Sequence, residues 1–182
     1  MDILSDEELM EKVKQKDMEA YNSLYTRHAQ KTYQFIFLYI RQKQAAEDLL
    51  QETFIRVYVK SRTYKSEKAS FRTWLHQIAH RLCIDHYRKH SKFKWQQIEP
   101  NEHEDAESGS VEYHVQNKML IQQYVGQLPD KERSILILAY YQGFSGREIS
   151  HILNIPEGTV KSKLHYSLKK LNKQLKKEMN DE

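Results

Sequence analysis

Cysteine is almost missing from this chain: Cys83 is the only one in 182 residues, so no intramolecular disulfide is possible and nothing points to secretion. Proline and glycine are also sparse, at 3 and 5 residues. So few breakers among long runs of good helix formers favour an all-α protein. Long apolar runs are lacking as well. The longest, Ile135 to Tyr141, is far too short to cross a bilayer. No signal-peptide pattern precedes the first helix, and a soluble, cytoplasmic protein is expected. Ser-His-Asp spacing, phosphate-cradling glycine loops, metal-ligand runs and strand-borne acid pairs are all absent. The chain is therefore read as a non-enzyme with no cofactor, no resident metal and no small-molecule substrate.

What is present is charge, unevenly spread. The formal net charge is only +4, but Arg56 to Lys94 holds eleven Lys/Arg against Glu67 and Asp85. Lys118 to Lys177 holds eleven more against Asp130, Glu132, Glu148 and Glu157. Between them, Gln96 to Gln116 carries Glu99, Glu102, Glu104, Asp105, Glu107 and Glu112 with no Lys or Arg. Two basic blocks flanking an acidic stretch form the footprint of a nucleic-acid binder with two grips. The expected organisation is a helical domain over residues 1–94, a flexible acidic linker over 95–112, and a second helical domain over 113–182.

Ser5 and Glu8 make an S-x-x-E capping box, with Leu4 and Leu9 as its staple, and open a short acidic helix from Asp6 to about Lys16. Asp17 caps a second helix, in which Tyr21, Leu24, Tyr25, His28, Tyr33, Ile36 and Ile40 keep helical spacing. A third helix, Ala45 to Val59, turns Leu49, Leu50, Phe54, Val57 and Tyr58 inward. Asp48, Gln51, Glu52 and Arg56 form one outer face, joined by Ile55. After a polar loop holding Tyr64 and Lys65, Ser70 caps a fourth helix that runs through Lys89. Its buried stripe is Phe71, Trp74, Leu75, Ile78 and Leu82, with Trp74 assigned to the core. Opposite lie Arg72, His76, Gln77, His80, Arg81, Tyr87, Arg88 and Lys89. His76, His80 and Cys83 share a face at i, i+4 and i+7, a spacing that zinc can use when a fourth ligand completes it. No second cysteine or carboxylate stands on that face, and ordinary helix packing is the preferred reading.

The second domain opens with a helix near Val111 to Gln127; Pro129 restarts the chain into an apolar helix, Lys131 to Gln142. Gly143 suits a left-handed helix end. Ser145 and Glu148 form another capping box, with Phe144 and Ile149 as staple, before a short helix from Gly146 to Leu153. Asn154 takes the turn, and Pro156 with Glu157 starts a second helix whose stripe is Val160, Leu164, Leu168, Leu171 and Leu175. A short helix, a tight turn and a lysine-rich second helix make a helix-turn-helix, spanning 145–168, for the DNA major groove.

These residues resemble the extracytoplasmic-function (ECF) class of bacterial RNA polymerase sigma factors, from about Asp17 to Leu175 apart from the linker. Ala46-Glu47-Asp48-Leu49-Leu50-Gln51-Glu52-Thr53-Phe54 is similar to that family's polymerase-docking segment. Phe71, Thr73-Trp74-Leu75, Ile78-Ala79, Asp85 and Arg88-Lys89 fit its promoter-melting helix. Leu128-Pro129, Arg133, Glu148-Ile149, Gly158-Thr159-Val160-Lys161-Ser162 and Leu164 fit its −35 domain. The chain departs from the family's usual residues at Arg81, Ser150, Lys163 and Tyr166, which puts in doubt only the bases read.

The resemblance implies that Asp48, Gln51, Glu52, Ile55 and Arg56 meet the polymerase core. Tyr64, Lys65, Arg72, His76, Gln77, His80, Arg81 and Arg88 are expected to hold the −10 element single-stranded, since strand opening needs cations for phosphate and aromatic surfaces for bases. Arg147, Thr159, Lys161, Ser162, Lys163, His165 and Lys169 are expected on the −35 duplex. Partners implied are polymerase core, promoter DNA and a small, membrane-anchored anti-sigma protein. Two other classes stay open here: a stand-alone helix-turn-helix regulator, and a sigma-mimicking protein that binds polymerase or an anti-sigma without DNA.

Overall fold

Capping side chains set where the helices begin. In the computed structural model, which describes residues 4–90 and 123–180, α1 (Asp6–Lys14) starts at the expected box. Ser5 Oγ accepts from the Glu8 N–H at 3.2 Å, and the Glu8 carboxylate accepts from the Ser5 N–H at 2.7 Å. The Asp17 carboxylate accepts from the Glu19 and Ala20 N–H groups at 2.9 and 3.1 Å and opens α2 (Met18–Ile40). Arg41, left-handed at φ 62°, ends α2 and lets α3 (Lys43–Val59) begin two residues ahead of the sequence expectation. A 3-10 turn, Ser61–Thr63, precedes α4 (Phe71–His90), which Ser70 caps through the Thr73 N–H at 3.2 Å.

Residues 123–127 are helical, and α5 (Asp130–Leu136) follows Pro129. The apolar run then departs from the expected continuous α-helix and winds into a π turn over Ile137–Tyr141. Gly143, at φ 66°, leads to α6 (Gly146–Leu153) with its capping box intact, and Asn154 at φ 53° joins it to α7 (Glu157–Asn180). The turn is tied by the Ser150 hydroxyl, which donates to the Ile155 carbonyl at 2.7 Å. No strand occurs among the described residues. The protein is all-α. The expected acidic linker and the start of the helix expected from Val111 lie outside the described residues.

Leu24, Phe35, Phe54, Phe71 and Leu75 fill the space between α1, α2, α3 and α4, and Ile135, Ile149, Ile152, Val160 and Leu171 fill that between α5, α6 and α7. The two sets meet across α4, which packs on α2 and α3 on one side and on α6 on the other. Arg133 of α5 is 3% exposed and donates to the Gly126 and Leu128 carbonyls at 3.3 and 3.0 Å. Its guanidinium also lies over the rings of Tyr39 in α2 and Tyr87 in α4, at 5.4 and 4.9 Å.

Ser145→Ala removes the acceptor that starts α6, so it is expected to lower stability by about 1 kcal/mol, while Ser145→Asp retains most of it. Chemical denaturation of both variants checks this; equal losses would mean that the cap contributes nothing.

Candidate nucleic-acid interface

On α7, helical spacing turns Lys161, Ser162, His165 and Lys169 outward, and all four are exposed. Arg147 of α6 is exposed beside them in sequence, and Thr159 is half-buried. Lys163 differs from its expected role as a free DNA contact. Its ammonium lies 2.6 Å from the Glu132 carboxylate of α5, because its side chain leans over the α5–α7 packing. Burial pushes the Glu132 carboxyl up, but the hydrogen bond and charge of Lys163 outweigh it and hold that group below its usual value. Tyr166, 57% exposed with the Lys170 ammonium 4.6 Å from its ring, adds an aromatic to this surface. The sequence names it only as a departure from the family and leaves it out of the expected contact set, although its place one turn on from Ser162 was a usable signal.

The α4 surface needs a larger correction. Arg72, His76, Gln77 and His80 were expected on an open face, and they sit in a seam against the C-terminal half. The Arg72 guanidinium donates to the Gln142 carbonyl and lies 3.9 Å from the Phe144 ring centre. His76 is 1% exposed, edge-on to Phe144 at 4.8 Å and to Phe35 at 5.4 Å. The Gln77 amide donates to the His151 carbonyl at 3.0 Å. His80 Nε2 is 3.0 Å from Ser134 Oγ, whose own hydrogen goes to the Asp130 carbonyl at 2.8 Å. His80 is therefore the donor of that pair. The physical cause is that α4 has apolar neighbours on both sides. Its second face looks polar in sequence but is covered by Ser134, Phe144 and α6 rather than by water.

Tyr64 is also not where it was expected. It is 1% exposed, donates its hydroxyl to the Ala69 carbonyl at 3.1 Å and packs on Phe71 and Trp74. An aromatic in a polar loop just before Phe71 and Trp74 buries more apolar surface under the loop than above it. Cys83 is fully buried, and neither it nor the two histidines turn toward a common point in solvent.

Lys65, Arg81 and Arg88 remain exposed. A shallow cavity of about 150 Å³ opens among Arg56, Lys60, Thr63, Trp74, Gln77, Ile78 and Arg81. Three cations around the partly exposed face of a tryptophan suit a phosphate with its base. Trp74 thus serves both the core and this cavity, and Lys60 joins the set.

On α3, Asp48, Gln51 and Ile55 are exposed in one line, and Glu52 pairs with Arg56 at 2.8 Å. An exposed i,i+4 pair of this kind contributes only about 0.3–0.5 kcal/mol, so both groups are free to exchange partners. Ile55 and Val59 are 54% and 69% exposed. Large apolar side chains exposed in line with carboxylates give this face both an apolar and a charged contact chemistry. Val59 falls four residues after Ile55, a continuation of the stripe that the sequence reading stopped short of.

The model of Sigma-70 region 2 matches residues 24–93, and that of Sigma-70 region 4 matches residues 118–171. The chain is 32% identical to the ECF RNA polymerase sigma factor SigW of Bacillus subtilis, over 92% of this chain and 95% of that protein. It is likewise 32% identical to SigM of the same organism, over 88% of this chain and 98% of that one. Among solved structures it resembles CnrH in complex with the cytosolic domain of CnrY, with a TM-score of 0.72, 18% identity and coverage of 92% and 95%. It also resembles the sigma factor RpoE of Bartonella quintana in complex with the anti-sigma factor NepR, with a TM-score of 0.65, 21% identity and coverage of 86% and 96%. At those identities the two structures speak for the fold.

Burial holds His76 and His80 down to about 4 from an ordinary 6.5; the charges of Arg72 and His28 add to this at His76, as does that of Arg81 at His80. The unfolded chain therefore takes up protons on these rings as pH falls below about 6.5, while the folded chain does not until about 4. Their contribution to stability is complete above that window and is lost as pH falls through it. The urea midpoint is expected to be lower at pH 5 than at pH 7, with a shallower dependence in His80→Gln, which keeps a donor for Ser134. A His80→Gln curve parallel to the wild type would remove His80 from this account.

Proposed function

Because the chain belongs to the ECF family of RNA polymerase sigma factors, we propose that its surfaces divide promoter recognition among three helices. The α3 face of Asp48, Gln51, Glu52, Ile55 and Arg56 docks on polymerase core, with carboxylates and an amide hydrogen-bonding to a basic or helical partner. Arg81, Arg88, Lys65 and the Trp74 cavity hold the −10 element as a single strand, joined by Arg72, His76, Gln77 and His80 when that face is free. Thr159, Lys161, Ser162, His165 and Lys169 read or grip the −35 duplex, with Arg147 on adjacent phosphate. Lys163 acts there as a positioning residue through Glu132.

The observation that carries this reading is one chain presenting, in order, an exposed acidic-apolar face on α3 and an exposed basic face on the second helix of a helix-turn-helix. Family membership displaces the stand-alone regulator considered above. Two grips joined by residues 95–112 gain from effective concentration when the spacing between their sites fits the tether. An anti-sigma protein is proposed as the regulator, by analogy with NepR on RpoE of Bartonella quintana. A cytoplasmic location follows from the polymerase partner, and no helix among the described residues is long and apolar enough to cross a membrane.

Wild-type protein is expected to co-elute with bacterial core polymerase on a sizing column, and an Asp48→Lys, Glu52→Lys variant is not. Co-elution of both would clear α3 of the docking role. Separately, Lys169→Ala is expected to weaken −35 duplex binding alike across sequences and to reduce the slope of log affinity against log salt by about 0.9. A loss confined to one promoter would instead make Lys169 a base reader.

A further inference from the structure

We propose that His86 and His90 form a two-imidazole site for an exchangeable borderline divalent cation, of the class of Zn²⁺, Ni²⁺ and Cu²⁺, on the last turn of α4. The i, i+4 spacing of His76 and His80 recurs here, at the solvent end of the same helix. His86 is half-buried and His90 exposed, whereas the earlier pair is closed off from water. Residues four apart on a helix stand one above the other, so both side chains can lean to one point. They already meet: the two rings lie 4.2 Å apart centre to centre and 21° from parallel. The site is independent of the promoter reading, since it needs neither DNA nor polymerase.

Hydrogen bonding fixes which nitrogen the second ring offers. His90 Nδ1 lies 2.8 Å from the His86 carbonyl. A carbonyl only accepts, so Nδ1 carries the hydrogen and Nε2 keeps its lone pair. A ring N–H donated to a backbone carbonyl is the arrangement that orients metal-binding histidines and raises their basicity. Burial holds His86 below its ordinary value, and the charges of His90 and Lys89 push the same way, so its ring is unprotonated at neutral pH. A modest turn of the exposed His90 ring about χ2, a broad torsional well, brings its Nε2 beside that of His86. Among the described residues no group of three or more His, Cys, Asp or Glu gathers. Water therefore fills the remaining positions, and the ion exchanges rather than being locked in. Imidazoles select these borderline metals over Mg²⁺ and Ca²⁺, which take oxygen ligands. Lys89 opposes a dication by like charge, whereas the negative end of the α4 dipole favours one. A bound ion ties His90 back to His86 and so holds the last turn of α4 wound.

The test uses the full chain, stripped of metal by a chelator, with His86→Gln and His90→Gln as site variants and the exposed His151→Gln as control. Competition against a chromogenic indicator reads Zn²⁺ and Ni²⁺ affinity, and the Cu²⁺ spin-echo spectrum reads how many imidazoles hold the ion. Amide hydrogen exchange reads the end of α4. The wild type and the control are expected to bind alike, and each site variant about a hundredfold more weakly, because the second ring acts at a high effective concentration. Two imidazoles should appear on Cu²⁺ in the wild type and one in each site variant. Zn²⁺ should slow exchange of the amides of residues 87–90, and Mg²⁺ should not. Equal affinity in the wild type and both site variants would overturn the proposal. So would a two-imidazole spectrum that persists in either variant, since other histidines would then be the ligands. Tight binding with unchanged exchange at 87–90 would place the ion elsewhere and overturn it as well. Circular dichroism identifies a misfolded variant, in which case the wild-type spectrum and exchange decide together with the other variant.

Discussion

Burial of α4 on two sides is the constraint on which the rest of this structure depends. The N-terminal half takes Phe71, Leu75, Ile78 and Leu82 from it, which is enough apolar surface to fix its place. The second face carries side chains that tolerate either water or protein. Histidine, glutamine and arginine each combine a flat or extended apolar body with a polar tip, so they can line a seam or a nucleic-acid surface. The same side chains therefore suit a seam between two halves of a protein, where a lysine face would be costly to bury.

Arg133 shows how the second half is anchored. Its charge is buried, which is unfavourable unless hydrogen bonds and neighbouring π faces compensate. Carbonyls of Gly126 and Leu128 supply the first, at the point where Pro129 breaks the chain and leaves them without helical donors. Tyr39 and Tyr87 supply the second, from the N-terminal half. One side chain therefore completes a helix end within its own half and reaches across to the other. Its apolar partners lie beside the His80–Ser134 contact, so anchoring and seam are adjacent but chemically distinct.

Much of the architecture was legible before any coordinates, for physical reasons that differ by element. Capping boxes at Ser5 and Ser145 and the turn at Asn154 are local chemistry, and local chemistry is written in adjacent residues. The αL end at Arg41 was not legible, because a long charged residue carries no sign of that conformation. Nor was the π turn over Ile137–Tyr141, where a uniformly apolar run fits a helix of any pitch. At the site, the exposed lysines of α7 and carboxylates of α3 followed from periodicity alone. His76, His80 and Tyr64 did not, because their burial is decided by residues far away in sequence or by a loop that folds over its own aromatic. Periodicity identifies opposite faces of a helix. It does not say whether both are covered.

That distinction bears on how a covered face is recognised. A helix with one apolar stripe and a charged opposite face normally has a solvated side, and nothing within α4 itself argues otherwise. The informative feature is the composition of the charged side: between Arg72 and His80 it holds two imidazoles and an amide where a purely phosphate-binding face would hold lysines. Neutral imidazoles cost far less to bury than ammonium groups, since desolvation opposes charge and a histidine can shed it within a few pH units of neutrality. A helix face that packs against protein is therefore limited in how much permanent charge it can carry. On α4 Arg81 and Arg88 are exposed, Arg72 is half-buried against the Phe144 ring, and the two imidazoles between them are buried.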